Sequence, residues 1–222
     1  MPALAEKTAG RADIVIGKKS VVDAEIEKGK LKFKPILALT GKDGVTTQTG
    51  LIVVPAADPA KTAGDLKNYR IIFGPAYCEE KHAAAIELLA ASGVTLPDTL
   101  ETCEACSDGA TMILELGSKV RAATVISSYA APLLEGCGTI KKGDLRVVGK
   151  TKPVPFVTAF VSGKLKDEEQ SAIRKALLAV ADEPALLLAL ETKKGFVEEP
   201  ATPPADGKPL ATSSDAQKKR AR

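Results

Sequence analysis

Short apolar runs of strand length alternate along this chain with stretches of helical length, and that alternation restricts the fold more than any other feature. Strands are expected at residues 12–17, 34–40, 49–54, 70–73, 101–105, 122–127, 145–149 and 155–161. Helices are expected at 79–91 with Gly93 as cap, at 109–116 with Gly117 as cap, and at 130–134, 167–181 and 184–192, the last ending at Gly195. Strands bounded by glycine and apolar throughout are those that helices cover on both faces, so the pattern predicts an α/β fold with mainly parallel sheets. Glycine just past a helical stretch supplies the left-handed residue at which helices commonly stop. From residue 198 the chain is rich in Pro, Ala, Ser, Asp and Lys, with little to bury, and reads as a disordered tail.

Composition removes several function classes. The net charge of +3 is concentrated in Lys218, Lys219, Arg220 and Arg222, which leaves the body near neutrality. With no Trp, five Phe and three Tyr, and no basic stretch interleaved with aromatics, nucleic acid is not an expected partner. The apolar runs fall short of the roughly 20 residues needed to span a bilayer, and residues 1–9 lack a basic segment followed by an apolar one. There is no phosphate loop ending in Lys-Ser/Thr, no G-x-S-x-G elbow and no H-E-x-x-H helix, so no enzyme, no catalytic residue and no cofactor are expected. Asp167, Glu168 and Glu169 cluster at a helix start, where the helix dipole accounts for them.

Two strand-to-helix junctions could hold a ligand, because open α/β sheets bind at the carboxyl ends of strands beside helix N-termini. One runs from Gly74 through Tyr77, Cys78, Glu79, Glu80 and Lys81 to His82, and the other is Cys103 to Gly109 with Ser107 and Asp108. Both are equally compatible with plain capped connections. His82 is the only histidine. Cys78 and His82 are four apart and could share a helical face beside Glu79, an alternative metal site, although a lone His near a helix start is more often structural. Cys103 and Cys106 form a C-x-x-C pair, readable as a dithiol, a disulfide or half a zinc site. No second close pair completes such a site, and the even count of four cysteines fits four buried thiols or, the favoured reading, at least one disulfide.

The order of these segments resembles the phosphonate/phosphite-type solute-binding proteins of ABC importers. The resemblance is carried by Ala12-Asp13-Ile14-Val15-Ile16-Gly17 and by Leu66-Lys67-Asn68-Tyr69-Arg70-Ile71-Ile72-Phe73-Gly74-Pro75. It continues through Leu145 to Thr151, Pro153 to Phe156, the helix from Asp167 to Val180, and Gly195-Phe196-Val197. It implies a two-lobe type II periplasmic-binding-protein fold, with residues 1–65 as the remnant of lobe 1 and crossing hairpin, 66–150 as lobe 2, 151–197 as the return, and 198–222 as the tail. It also implies an upstream segment and a signal or lipoprotein peptide ahead of the Ala-Asp strand. On that reading Met1 is not the natural start, the first lobe is incomplete, and an unpaired edge with exposed apolar surface is expected.

The implied function is the capture of a small oxyanion such as a phosphonate or phosphate for an ABC permease, outside the cytoplasm. Any membrane contact would come through that permease or a missing anchor. The residues expected to line the cleft are Tyr77, Cys78, Glu79, Lys81, His82, Ser107, Asp108 and Tyr129, with Lys18, Ser20 and Thr47 as further candidates. Where the family's turn is rich in Ser and Thr, this chain places Glu79 and Glu80, whose charges oppose an anion unless Lys81 and His82 offset them. Arg121 stands where the family often carries an Asp. A metal-binding or redox accessory protein, using Cys78, His82 and the Cys103/Cys106 pair, is the alternative, and a sensory role would use the same cleft.

Overall fold

The computed structural model describes residues 4, 6 and 11–198. Apart from Glu198, the expected tail lies outside the described residues. Two lobes are built on separate sheets, and a two-stranded ladder connects them.

Lobe 1 carries β1 (Ile14–Lys18), α1 (Lys19–Gly29) and β2 (Phe33–Leu39) from the first part of the chain. Its later part supplies β10 (Val157–Ser162), α5 (Asp167–Leu178), α6 (Pro184–Ala189) and β11 (Phe196–Val197). The strand order is β1-β10-β2-β11, and every pairing is antiparallel. Leu37, Leu39, Ala159 and Phe196 form its core, with Leu177 and Leu178 of α5 packed against them.

Lobe 2 holds β4 (Gly50–Pro55), β5 (Arg70–Phe73), α2 (Ala83–Ala91), β6 (Glu101–Thr102), α3 (Cys106–Leu116), β7 (Ala122–Ser127), α4 (Ala130–Gly136) and β8 (Leu145–Lys150). Its sheet runs β6-β5-β7-β4-β8. The strand period of two divides each strand between two cores. Ile71, Phe73, Val125 and Val54 point to the face covered by Leu89 of α2, and Ile72, Ile126 and Val53 to the face covered by Ile113 of α3. Strands covered on both faces carry continuous apolar runs, as Ile52–Val54 and Ile71–Phe73 show. Burial of each such Leu, Ile or Phe stabilises by about 1.5–3 kcal/mol.

Three expectations need correction. The sheets are mixed: β5 pairs in parallel with β6 and β7, but β4 pairs antiparallel with β7 and β8. Because β4 belongs to this sheet, lobe 2 takes up the chain at Gly50, ahead of the expected residue 66. The first strand is not covered on both faces either. Among the described residues it pairs with β10 alone, and Ile14 and Ile16 are exposed.

Between the lobes, β3 (Thr47–Gln48) pairs antiparallel with β9 (Val154–Pro155). Gly93 and Gly117 take positive φ, 75° and 55°, just beyond α2 and α3, in keeping with the stops read from sequence. No helix among the described residues is long and apolar enough to cross a membrane.

Candidate functional site

β1 and β2 both pair antiparallel with β10, so their carboxyl ends lie on the same side of lobe 1. In lobe 2 the parallel strands β5, β6 and β7 likewise end together. The turn after β5 meets the end of β1 across the gap. Lys18 Nζ lies 2.5 Å from Glu80 Oε1, and Glu80 is wholly buried while the Lys18 side chain is one-fifth exposed. Glu79 N donates to Ser20 Oγ at 3.5 Å, at the start of α1. Burial pushes the Cys78 thiol up, and the charges of Lys18 and Lys81 act against that rise. Lys18, Ser20, Cys78 and Glu79 are therefore brought together where the lobes touch.

Tyr77 lies beside them and donates to Glu104, from the segment that leads into α3. This hydrogen bond, with burial second, pushes the Tyr77 phenol up to about 12. A folded pKa above the unfolded value stabilises the fold below pH about 10, and the contribution is lost as pH rises through about 12. Tyr77 is substantially exposed, so solvent screens the effect. An ultraviolet titration of the phenols is expected to show a Tyr77 step near pH 12 that Glu104→Gln moves toward 10. A Tyr77 step that does not respond to that substitution would show that Glu104 is not the cause.

Ser107 and Asp108 stand in the first turn of α3, and Ser107 Oγ donates to Asp108 Oδ1 at 3.2 Å. Nearby, Cys106 Sγ accepts from Ser127 N at 3.4 Å. Gly109 lets this helix approach β7, since a Cβ there would sit 2.4 Å from Thr124 Oγ1. Beside the ladder, Thr47, Gln48, Ser128, Tyr129, Phe156 and Glu191 line a cavity of about 240 Å³ between the lobes. The rings of Tyr129 and Phe156 are 4.9 Å apart.

Lys81 and His82 close the turn that carries Cys78 and Glu79, where Lys81 N and His82 N both donate to Cys78 O. Lys81 is buried against Gly74 and donates from Nζ to Glu104 O at 3.2 Å. His82 Nδ1 is 2.8 Å from Gly74 O, which can only accept, so that nitrogen carries the proton. Its ring meets the Phe73 ring edge-on.

The expected helix over residues 79–91 is broken. A 3-10 turn spans Glu79–Lys81, His82 takes φ −123° and ψ −87°, and α2 starts at Ala83. Cys78 and His82 consequently do not share a helical face. Among the described residues no group of three His, Cys, Asp or Glu could hold a metal, which removes the Cys78/Glu79/His82 alternative. The expected disulfide is absent as well: all four cysteines are free, and Cys103 Sγ donates to Ala105 O while Cys106 Sγ meets Ser127 N.

Sequence reasoning missed Glu80 as the partner of Lys18, and it missed Ser127, Ser128, Phe156 and Glu191. The Ser127-Ser128 pair at the end of a strand was a signal that could have been used.

No curated protein matches this sequence. The structure resembles XAC2383 from Xanthomonas citri bound to ATP, with 17% identity, a TM-score of 0.69, and coverage of 91% of this chain and 78% of that one. It also resembles PhnD1 from Prochlorococcus marinus in complex with methylphosphonate, with 12% identity, a TM-score of 0.70, and coverage of 90% and 79%. A third relative is PA3383, a binding-protein component of an ABC phosphonate transporter from Pseudomonas aeruginosa, with 14% identity, a TM-score of 0.67, and coverage of 87% and 66%. At these identities the likeness shows the periplasmic-binding-protein fold. The sequence model for the periplasmic phosphonate-binding protein of ABC transporters matches residues 4–200, and the chain belongs to that family of substrate-binding proteins.

Proposed function

We propose that this chain is the solute-binding component of an ABC-type importer and holds a small oxyanion, a phosphonate or phosphate, between its lobes. It performs no chemistry on that ligand. It acts outside the cytoplasm and delivers the solute to a permease. The observation that carries this reading is the convergence of Lys18 and Ser20 from lobe 1 with the Tyr77–Glu80 turn of lobe 2. Family membership supports it.

The carboxylates nearby do not rule out an anion, because most are already engaged. Glu80 is paired with Lys18, Glu104 accepts from Tyr77, and Glu191 is 3.0 Å from Lys42. The N-terminus of α1 beside Lys18 and that of α3 beside Ser107 add dipoles favourable to negative charge. Closure would bend the β3–β9 ladder and bring the two sets of residues onto the ligand.

Thermal denaturation of the full chain tests this, with methylphosphonate, phosphate, methanesulfonate and zinc as additives. A ligand at ~100 times its dissociation constant adds about 2.7 kcal/mol. For a chain of this size that raises the midpoint by roughly 5–11 °C. A rise with methylphosphonate or phosphate is expected. A flat response to all three oxyanions would remove the reading, and a rise with zinc alone would transfer it to a metal-binding protein.

A further inference from the structure

The lysines beside the interlobe site are already engaged. Lys19 Nζ lies 2.7 Å from Asp23 Oδ2, Lys42 Nζ lies 3.0 Å from Glu191 Oε1, and Lys81 Nζ donates to Glu104 O at 3.2 Å. Each of these contacts stays within one lobe. Lys18 differs, because its partner Glu80, at 2.5 Å, comes from the other lobe. Two further contacts cross with it: Glu79 N donates to Ser20 Oγ at 3.5 Å, and Tyr129 Oη donates to Glu191 Oε2 at 3.5 Å. The ion pair is the shortest of the three and the only one of them that joins opposite charges.

The two partners are not equally accessible. Glu80 has no solvent access, and its Oε2 has no hydrogen-bond partner among the described residues, although a carboxylate can accept from several donors. Lys18 is therefore the main compensation for a buried charge. The Lys18 side chain is one-fifth exposed, and its ammonium group carries three N–H donors, so a ligand can approach it where nothing can approach Glu80. An oxyanion at Lys18 would meet the charge of Glu80 beside it, and two anions on one cation repel. Drawing Lys18 over to the ligand entirely would leave Glu80 buried and uncompensated. Glu80 and the oxyanion consequently oppose one another at Lys18.

We infer that Glu80 is a built-in competitor for the oxyanion: its carboxylate stands in the ligand's place at Lys18, holds the lobes together when no ligand is bound, and sets the affinity because the pair must open before the ligand can bind. The inference rests on the oxyanion reading above and adds to it a residue that limits affinity without excluding the anion. The fraction of chains in which Lys18 is released then scales the observed affinity.

Glu80→Gln tests this, since the amide keeps the shape and an acceptor for Lys18 while removing the charge. Small-angle X-ray scattering and calorimetric titration are applied to the full chain and to the variant, with methylphosphonate and inorganic phosphate as probes. The parent is expected to keep one radius of gyration with and without methylphosphonate, because its lobes are together in both states. The unliganded variant is expected to be larger, to contract on saturation with methylphosphonate, and to bind both anions about tenfold tighter than the parent. A purely structural Glu80 would give weaker binding. Equal or weaker affinity in the variant would overturn the inference and leave the oxyanion reading standing. So would a parent chain that contracts when methylphosphonate is added, a measurement that decides the matter even if Glu80→Gln does not fold. If neither chain binds either anion, the oxyanion reading falls and takes this inference with it.

Discussion

Gly50→Ala is expected to lower the unfolding midpoint by roughly 6–12 °C, from a destabilisation of about 3 kcal/mol. A Cβ at this position would stand 2.0 Å from Glu80 O and 3.0 Å from Thr151 Cγ2. The nearer obstacle is backbone, so no rotamer change relieves it. The turn that carries Glu80 is held by Gly74 N donating to Lys81 O at 3.1 Å and by Lys81 N donating to Cys78 O at 3.0 Å. On the other side, β4 is hydrogen-bonded between β7 and β8, and Gly50 N donates to Thr151 Oγ1 at 2.8 Å. Either the turn or the central strand must move. Because the turn positions Tyr77 and Glu80, ligand affinity should fall with stability. Thermal denaturation measures the effect, and a midpoint within about 2 °C of the parent would show that the contact relaxes at little cost.

The second large effect concerns the ion pair between the lobes. Lys18→Met strips the cation from a carboxylate with no solvent access. Removing one partner of a buried pair costs about 3–5 kcal/mol, since the remaining charge stays buried without compensation. The partial exposure of Lys18 places the expected value near the lower end, about 3 kcal/mol. The double variant Lys18→Met/Glu80→Gln should recover most of the loss, because no charge is then stranded. A double-mutant cycle by urea denaturation measures the coupling. If the double variant is as unstable as Lys18→Met, packing around Lys18 is responsible and the ion pair is not. Glu80 Oε2 has no hydrogen-bond partner among the described residues, so the carboxylate depends heavily on its single cation.

Much of the architecture could be read from the sequence because it follows from local rules. The strands at 70–73 and 122–127 and the helix stops at Gly93 and Gly117 came from apolar runs and punctuation. Strand direction could not be read in the same way. A strand buried on both faces, such as β4, has the same apolar composition whether its neighbours run parallel or antiparallel, and only its pairings decide. The break at His82 was hidden for a similar reason. Residues 79–91 have helix-compatible composition, but the ring of His82 is fixed by Gly74 O and Phe73, contacts made by the preceding strand and turn.

The site was partly legible. Lys18, Ser20 and the Tyr77–Glu79 stretch were named because they follow strands, and the fold brings them together where the lobes touch. Thr47 and Tyr129 were named separately, and the fold places them in one cavity. Glu80 was read only as a charge opposing an anion, because its pairing with Lys18 depends on burial at a seam between lobes, which tertiary contacts set. Lys81 shows the converse. Its charge marked it as a ligand for an anion, yet its stem packs on Gly74 and its ammonium group serves a backbone carbonyl.

The interruption of lobe 1 by lobe 2 also orders the events of folding. All five strands of the second sheet come from one unbroken stretch, from β4 to β8. The first sheet must instead pair Thr158 with Ala38 across that entire stretch. Loop-closure entropy makes such a pairing expensive while the intervening chain is unfolded, and cheaper once that chain has condensed into a body whose two ends leave side by side through β3 and β9. During synthesis, lobe 2 can therefore mature first, while β1 and β2 wait for β10 to emerge. Until then, the apolar edges of the first lobe are the part of the molecule most open to wrong partners.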